Sequence, residues 1–406
     1  MTQTAVPLGP GRAGDLQVIG SVSAAHFVSH IYMLLLPPLF IFVRAEYGVS
    51  YTELGLALSL FNVFSAALQT PAGFLVDQVS ARVVLIGGLL LGAGAFAIAG
   101  FVDSFWVLVA MFAVAGIGNA VYHPANYSML SHQIAPERLG SAFSIHTFAG
   151  MAGSAVAPAS LILVQSMAGW RGAFLAAAFA GLVIAALLAL QPEPAGRVTA
   201  NEVRTEPPTT HDDGWKLLLS APIIRNLIFF VLFSLVMGGM QGYSVVALAA
   251  LHDTSITLGN AALSGYLLMS AIGVLVGGLV VGRTSRHGLV AMIGLLAMAA
   301  AALLVAFIDL APVLLVGVLS LGGFFFGAMM PSRDMIVREV TPPGSFGKVF
   351  GFVTTGFNIG GIFSPLMFGA LMDHGAPRTV FLVIAAGCLL SIVTVATRQR
   401  APAAAR

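Results

Sequence analysis

Six ionisable side chains sit inside long apolar runs, where such groups are ordinarily excluded: His26, His30, His123, His146, Arg333 and Asp334. His26 and His30 are four residues apart, so on a helix their side chains share one face. A neutral imidazole both donates and accepts, and it titrates near physiological pH. A group of them therefore suits proton-linked movement or recognition of an anion. Helix-to-helix hydrogen bonding is the alternative for any one of them. Two histidines at this spacing also fit half of a metal site, but no cysteine or carboxylate accompanies them in their runs, so no metal is expected. Arg333 can ligate an anion or act as a gate, and Asp334 can titrate or gate; a charge-paired, snorkelling helix end is the competing reading for both. Asn119, Tyr122, Asn126, Gln241, Tyr243 and Asn358 are amides and phenols in similar runs, able to orient a solute without the cost of a buried charge.

The elements that must carry these groups follow from composition. The 406 residues are 58% hydrophobic and 8% charged, with a mean hydropathy of +0.96. A soluble domain carries roughly 25% charged residues, so most of this chain meets lipid rather than water. Backbone polar groups in lipid must be satisfied within helices or a closed barrel. The apolar runs are continuous and about 20 residues or longer, which selects helices. Twelve spans are expected, at 17–43, 51–76, 83–101, 105–131, 140–165, 171–191, 222–251, 258–282, 289–308, 312–338, 346–371 and 378–397.

This reading divides the chain into an N-terminal six-helix bundle (1–191), a Pro-, Thr- and acid-rich connector (192–221), a second six-helix bundle (222–397) and a tail (398–406). With the N-terminus inside, fourteen of the 18 Lys and Arg fall on inner segments and three, Arg44, Arg171 and Arg378, on outer ones. That distribution places both termini and the connector in the cytoplasm. Residues 1–15 lack a basic cluster and lead directly into a full-length span, so no cleavable signal is expected. The single cysteine, Cys388, excludes an intrachain disulfide.

A Gly/Pro skeleton recurs without gaps 207 residues later. Gly116, Pro124, Pro136, Gly140, Phe143, Thr147, Gly153 and Pro158 return as Gly323, Pro331, Pro343, Gly347, Phe350, Thr354, Gly360 and Pro365. Most of these residues kink, cap or closely pack helices, so the protein reads as two parallel copies of one unit. Asn126 and Arg333 occupy equivalent places in the two copies.

Gly73-Phe-Leu-Val-Asp77-Gln-Val-Ser-Ala-Arg82 follows the second span, and Gly278-Leu-Val-Val-Gly282-Arg283 follows the eighth. These segments resemble the GxxxDRxGRR-type loop of the major facilitator superfamily, with Gly282 standing where the second copy would have its acid. The resemblance implies twelve transmembrane helices in two six-helix pseudo-repeats, and a cytoplasmic gate loop carried by Gly73, Asp77, Arg82, Gly278 and Arg283. Gly116-Ile-Gly118-Asn119-Ala120 resembles a fourth-helix motif of the family, with Ala113 in place of its usual arginine. Gly150-Met-Ala-Gly153-Ser-Ala-Val-Ala157-Pro158 resembles the antiporter GP motif, matched in the second half by Gly360 and Pro365; these positions serve helix bending and packing. Tyr122-His123-Pro124-Ala125-Asn126, together with Gly140 to Gly150, is similar to the fosmidomycin-resistance-like branch.

The expectation from residues and resemblance together is a secondary transporter in a bacterial inner membrane. It would move a small organic solute, anionic or polar, by alternating access as a monomer. H+ coupling is open, and efflux is weighed slightly above uptake. A non-transporting sensor or assembly protein of the same fold stays as the alternative of a different class. No nucleotide-binding GxxxxGK[ST] loop is present, and neither a cofactor nor a nucleic-acid partner is expected. The dispersed histidines lack a nucleophile partner, which argues against an enzyme.

Overall fold

The computed structural model describes residues 12–191, 214–342 and 345–396, and these are helical almost throughout, with no strand among them. The helices are α1 (Arg12–Met33), α2 (Phe40–Tyr47), α3 (Tyr51–Gln78), α4 (Ala81–Phe101), α5 (Phe105–Asn119), α6 (Tyr122–Gln133), α7 (Pro136–Leu190), α8 (Gly214–Leu218), α9 (Ala221–Gly238), α10 (Ser244–His252), α11 (Ile256–Val281), α12 (His287–Phe307), α13 (Pro312–Ala328), α14 (Met330–Val340), α15 (Phe346–Asp373) and α16 (Pro377–Ala396). Short breaks divide several spans: α1 from α2, α5 from α6, and α13 from α14. Between α9 and α10 the chain runs through a single π turn, Gly239–Tyr243.

Among the described residues, eleven stretches are long and apolar enough to cross a membrane. One of them, Arg138–Leu190, has 53 residues, about 80 Å of helix and more than twice the ~30 Å hydrocarbon core. It breaks at Gly169, whose φ of 70° and ψ of 173° lie outside helical space. That break separates the fifth and sixth spans and brings the number of crossings among the described residues to twelve. A side chain at φ 70° would be strained, which is why the reversal falls on glycine. Of the connector expected at 192–221, residues 192–213 lie outside the described residues, as does the tail at 398–406.

The described residues pack as two compact units. One comprises 12–35, 60–154 and 164–191; the other comprises 36–59, 155–163, 214–342 and 345–396. In each unit the repeat is expressed as helix contact. A Cβ on Gly116 would strike the Phe61 carbonyl, and one on Gly323 would strike the Tyr266 carbonyl. Likewise Gly153 lies against the backbone of Phe27, and Gly360 against Val231 and Ser234. Lipid gives helices no hydrophobic reason to associate, so such backbone-close glycine contacts supply the packing.

Within the second unit, α3 begins with a reciprocal capping box. Glu53 N–H donates to Ser50 Oγ at 3.1 Å, and Ser50 N–H donates to Glu53 Oε2 at 2.7 Å. The next two amides are served from another helix: Tyr51 and Thr52 N–H donate to the Asp373 carboxylate at 2.7 and 2.8 Å. Tyr243 Oη donates to the Pro365 carbonyl at 2.6 Å, and Ser59 Oγ donates to the Ile362 carbonyl at 2.7 Å.

Candidate functional site

Three helices of the first unit bring the four intramembrane histidines together. His26 and His30 lie one turn apart on α1, His123 on α6 and His146 on α7. The His26 ring stacks on His146 with centroids 4.0 Å apart and planes 13° from parallel, and meets His30 edge-on at 4.6 Å and His123 at 5.5 Å. His26 and His146 are buried, whereas His123 is exposed. The cluster therefore runs from an accessible imidazole inward to buried ones.

The hydrogen bonds assign a consistent set of neutral tautomers. His26 Nδ1 lies 2.9 Å from the His146 carbonyl, which only accepts, so His26 carries its proton on Nδ1. Its Nε2 is then an acceptor, and the His30 Nε2–H donates to it over 3.2 Å. His30 Nδ1 is left to accept from the Ser154 hydroxyl at 2.8 Å. A further proton on His26 Nε2 would face the His30 N–H directly, so it would break this bond and separate the two rings. Protonation at that nitrogen and ring geometry are thereby linked, whereas a proton on His30 Nδ1 would keep the bond and turn Ser154 Oγ into an acceptor. The ring nitrogens of His146 are buried without a hydrogen bond of good geometry, with the backbone of Val22 as a polar neighbour.

Glycine makes this packing possible. A Cβ on Gly150 would lie 2.6 Å from His26 Cε1 and 2.8 Å from His30 Nε2, closer than side-chain carbons approach. Gly150, expected as a bending or packing position, is thus the wall against which both imidazoles rest. Ser154 follows it by one turn on α7. That i, i+4 spacing from Gly150 is the one sign of Ser154 in the sequence. Tyr127 stands one turn after His123 on α6. Its ring lies between His123 (5.7 Å) and His146 (5.9 Å).

The other sequence candidates take varied places. Asn126 is fully buried, one turn after His123, and neither its amide nitrogen nor its oxygen has a hydrogen-bond partner among the described residues. The Tyr122 hydroxyl is likewise buried and unpartnered. Asn119 donates to Ser65 Oγ at 2.8 Å. Gln241 lies in the π turn and Asn358 on α15, both part-buried. Tyr243 is fully buried, and its bond to Pro365 makes it a helix-to-helix tie.

The second unit builds a different environment at the equivalent place. The 207-residue offset pairs His26 with Phe233, Asn126 with Arg333 and Gly150 with Phe357. The Arg333 guanidinium lies over the rings of Phe230, Phe233 and Phe357 at 4.8, 4.9 and 5.3 Å. It also pairs with its neighbour Asp334, 2.9 Å from Nε. Adjacent helical residues need not face each other, but here the long arginine stem curls back to reach. The aromatic half of this arrangement was not among the sequence candidates, because phenylalanine in an apolar run carries no local sign of a cation partner.

The expected gate-loop residues divide. Gly73 to Gln78 continue α3 as helix, and Asp77 is exposed in its last turn. A Cβ on Gly73 or Gly278 would meet nothing within 4 Å. Arg82 closes the end of α7: its Nε donates to the Leu188 carbonyl at 3.0 Å and its Nη2 reaches the carbonyls of Leu188 and Gln191. A cation on the last carbonyls of a helix complements the helix dipole. Arg283 is exposed in the turn after α11. Among the described residues, no group of three or more His, Cys, Asp or Glu is arranged to hold a metal ion.

Comparison with known proteins agrees with this architecture. The chain is 26% identical over 402 residues to the probable sulfoacetate transporter SauU of Cupriavidus necator, covering 94% of this chain and 92% of that protein. It is 24% identical over 383 residues to the fosmidomycin resistance protein of Escherichia coli K12, covering 93% and 92%. The crystal structure of the nucleoside transporter NupG superposes with a TM-score of 0.78 at 16% identity, covering 94% of this chain and 99% of that one, and shows the shared fold. The pattern described as Major Facilitator Superfamily matches residues 22–259 and 239–406, and the chain is an integral, multi-pass membrane protein belonging to that family of transporters.

Proposed function

We propose that this transporter carries a small organic anion by alternating access, coupled to H+, with the His26–His30–His123–His146 cluster as its recognition and coupling site. The observation that carries this reading is the Nε2-to-Nε2 bond of His26 and His30, which tolerates one proton between the rings and not two. A proton delivered to His26 Nε2 through exposed His123 would separate the rings and take apart the neutral hydrogen-bonding pair that holds the anion. Departure of the proton would restore the pair for the next anion, so proton and anion alternate at the site, as efflux against H+ requires. The names of two similar proteins support the reading: one is a probable sulfoacetate transporter, which fits an organic anion, and the other is a fosmidomycin resistance protein. We favour efflux on the second, with uptake as the competing direction. The Lys and Arg distribution supports cytoplasmic termini, and we place the protein as a monomer in a bacterial inner membrane.

The test is transport of labelled sulfoacetate and other small organic acids by purified protein in liposomes, with pH gradients of both signs. Efflux against H+ predicts faster entry into right-side-in vesicles when the lumen is acidic, and uptake symport predicts the reverse. Rates that ignore the gradient would remove the coupling. Unchanged transport by His30→Gln protein would remove the cluster from the site.

A further inference from the structure

The second unit holds a cavity of about 240 Å³ where α9 begins and where α14 and α16 end. Arg225 and Phe229 of α9, Arg333, Ile336 and Val340 of α14, and Thr394 of α16 line it. The spacings 225–229 and 333–336–340 each mark one helical face, so a basic group and apolar groups alternate along the same wall. Arg225 is part-buried and has no hydrogen-bond or ion-pair partner among the described residues. Arg333 binds Asp334 through Nε and Nη2, which leaves Nη1 and its remaining donors free. Among the described residues, two guanidinium groups face one carboxylate, which gives the cavity a net positive charge.

A part-buried cation without a counterion is costly, and arginine matches the oxygens of a phosphate with paired N–H donors. Arg225, Val340 and Thr394 lie within about one turn of the ends of their helices, at the depth of lipid headgroups, and Arg333 lies about 10 Å inward of Val340. Basic pockets between transmembrane helices at this depth are suited to phosphate headgroups, and the apolar walls below would receive the start of an acyl chain. We infer that the Arg225–Arg333 cavity binds a phosphate-bearing anion, supplied as an anionic phospholipid headgroup or as free phosphate. This site uses none of the histidines and does not depend on the transport reading.

Full-length protein in detergent would be titrated with dioctanoyl phosphatidylglycerol, dioctanoyl phosphatidylcholine and inorganic phosphate, following melting temperature and mass-resolved binding. Saturable binding of phosphatidylglycerol but not phosphatidylcholine is expected, weakened roughly tenfold or more by Arg225→Gln. Arg338→Gln, which removes an exposed cation of α14 outside the cavity, should bind as wild type does. A saturable shift with inorganic phosphate, lost in Arg225→Gln, identifies the free anion as a sufficient occupant; a response to phosphatidylglycerol alone identifies the lipid. Arg225→Met replaces the glutamine variant should that one unfold. Absence of saturable binding, or an Arg225 variant that binds as tightly as wild type, would overturn the inference.

Discussion

His26 and His30, one turn apart on α1, are joined nitrogen to nitrogen at 3.2 Å while Gly150 of α7 supplies the bare backbone against which both rings pack. A pair held this way acts as a unit. Replacing either histidine by glutamine should remove most of the transport rate, roughly tenfold or more, and the double replacement should cost little beyond either single one. Additive losses in the reconstituted assay would show two independent residues.

Gly150→Ala places a methyl group 2.6 Å from His26 Cε1 and should separate the imidazoles. Overpacking of this kind costs about 1–3 kcal/mol, so a lower melting temperature is expected together with loss of solute-induced stabilisation. Gly140→Ala, where an added Cβ meets nothing within 4 Å, is the control and should leave both unchanged.

Arg333→Lys keeps the charge but gives up the planar group that lies over Phe230, Phe233 and Phe357. A loss of about 0.5–2 kcal/mol is expected. Thermal unfolding of the lysine variant beside Phe357→Leu and the double variant measures it. If the cation–π contact carries the effect, the two losses overlap rather than add.

Asp373 caps α3 from the far end of α15, accepting from the amides of Tyr51 and Thr52. Asp373→Ala should cost about 0.5–2 kcal/mol, as removal of an N-cap does. Hydrogen exchange is the direct readout: the amides of Tyr51 and Thr52 should exchange faster, while the capping box of Ser50 and Glu53 persists. Unchanged exchange at Tyr51 and Thr52 would show that the carboxylate does not hold that helix start.

Much of the architecture was legible before any coordinates. The span limits 258–282 and 289–308 lie within a few residues of α11 and α12, because apolar length is a local property. The split of α7 was legible as two spans, although the helix is continuous apart from the single residue Gly169. The histidines were legible as candidates by type and run. Ser154, the Phe230–Phe233–Phe357 box and the capping role of Asp373 were not, because serine, phenylalanine and a loop-edge aspartate are unremarkable in their own neighbourhoods.

The sequence by itself determined the solvent, the helices and the twofold repeat. Each of these is written in the apolar length of a segment or in glycines and prolines at a constant offset, and a bilayer of given thickness reads both without reference to distant residues. Only the tertiary structure decided which polar groups meet. His26 touches His146 across 120 positions of chain because α1 and α7 close to backbone distance at Phe27 and Gly153. At the equivalent place in the other unit, Phe233 and Phe357 stand where His26 and Gly150 do, and an arginine is held in place of an imidazole cluster. The shared skeleton sets how near two helices come, and the side chains at that meeting point decide the chemistry. Their pairing depends on helix rotation and depth, which no local spacing records.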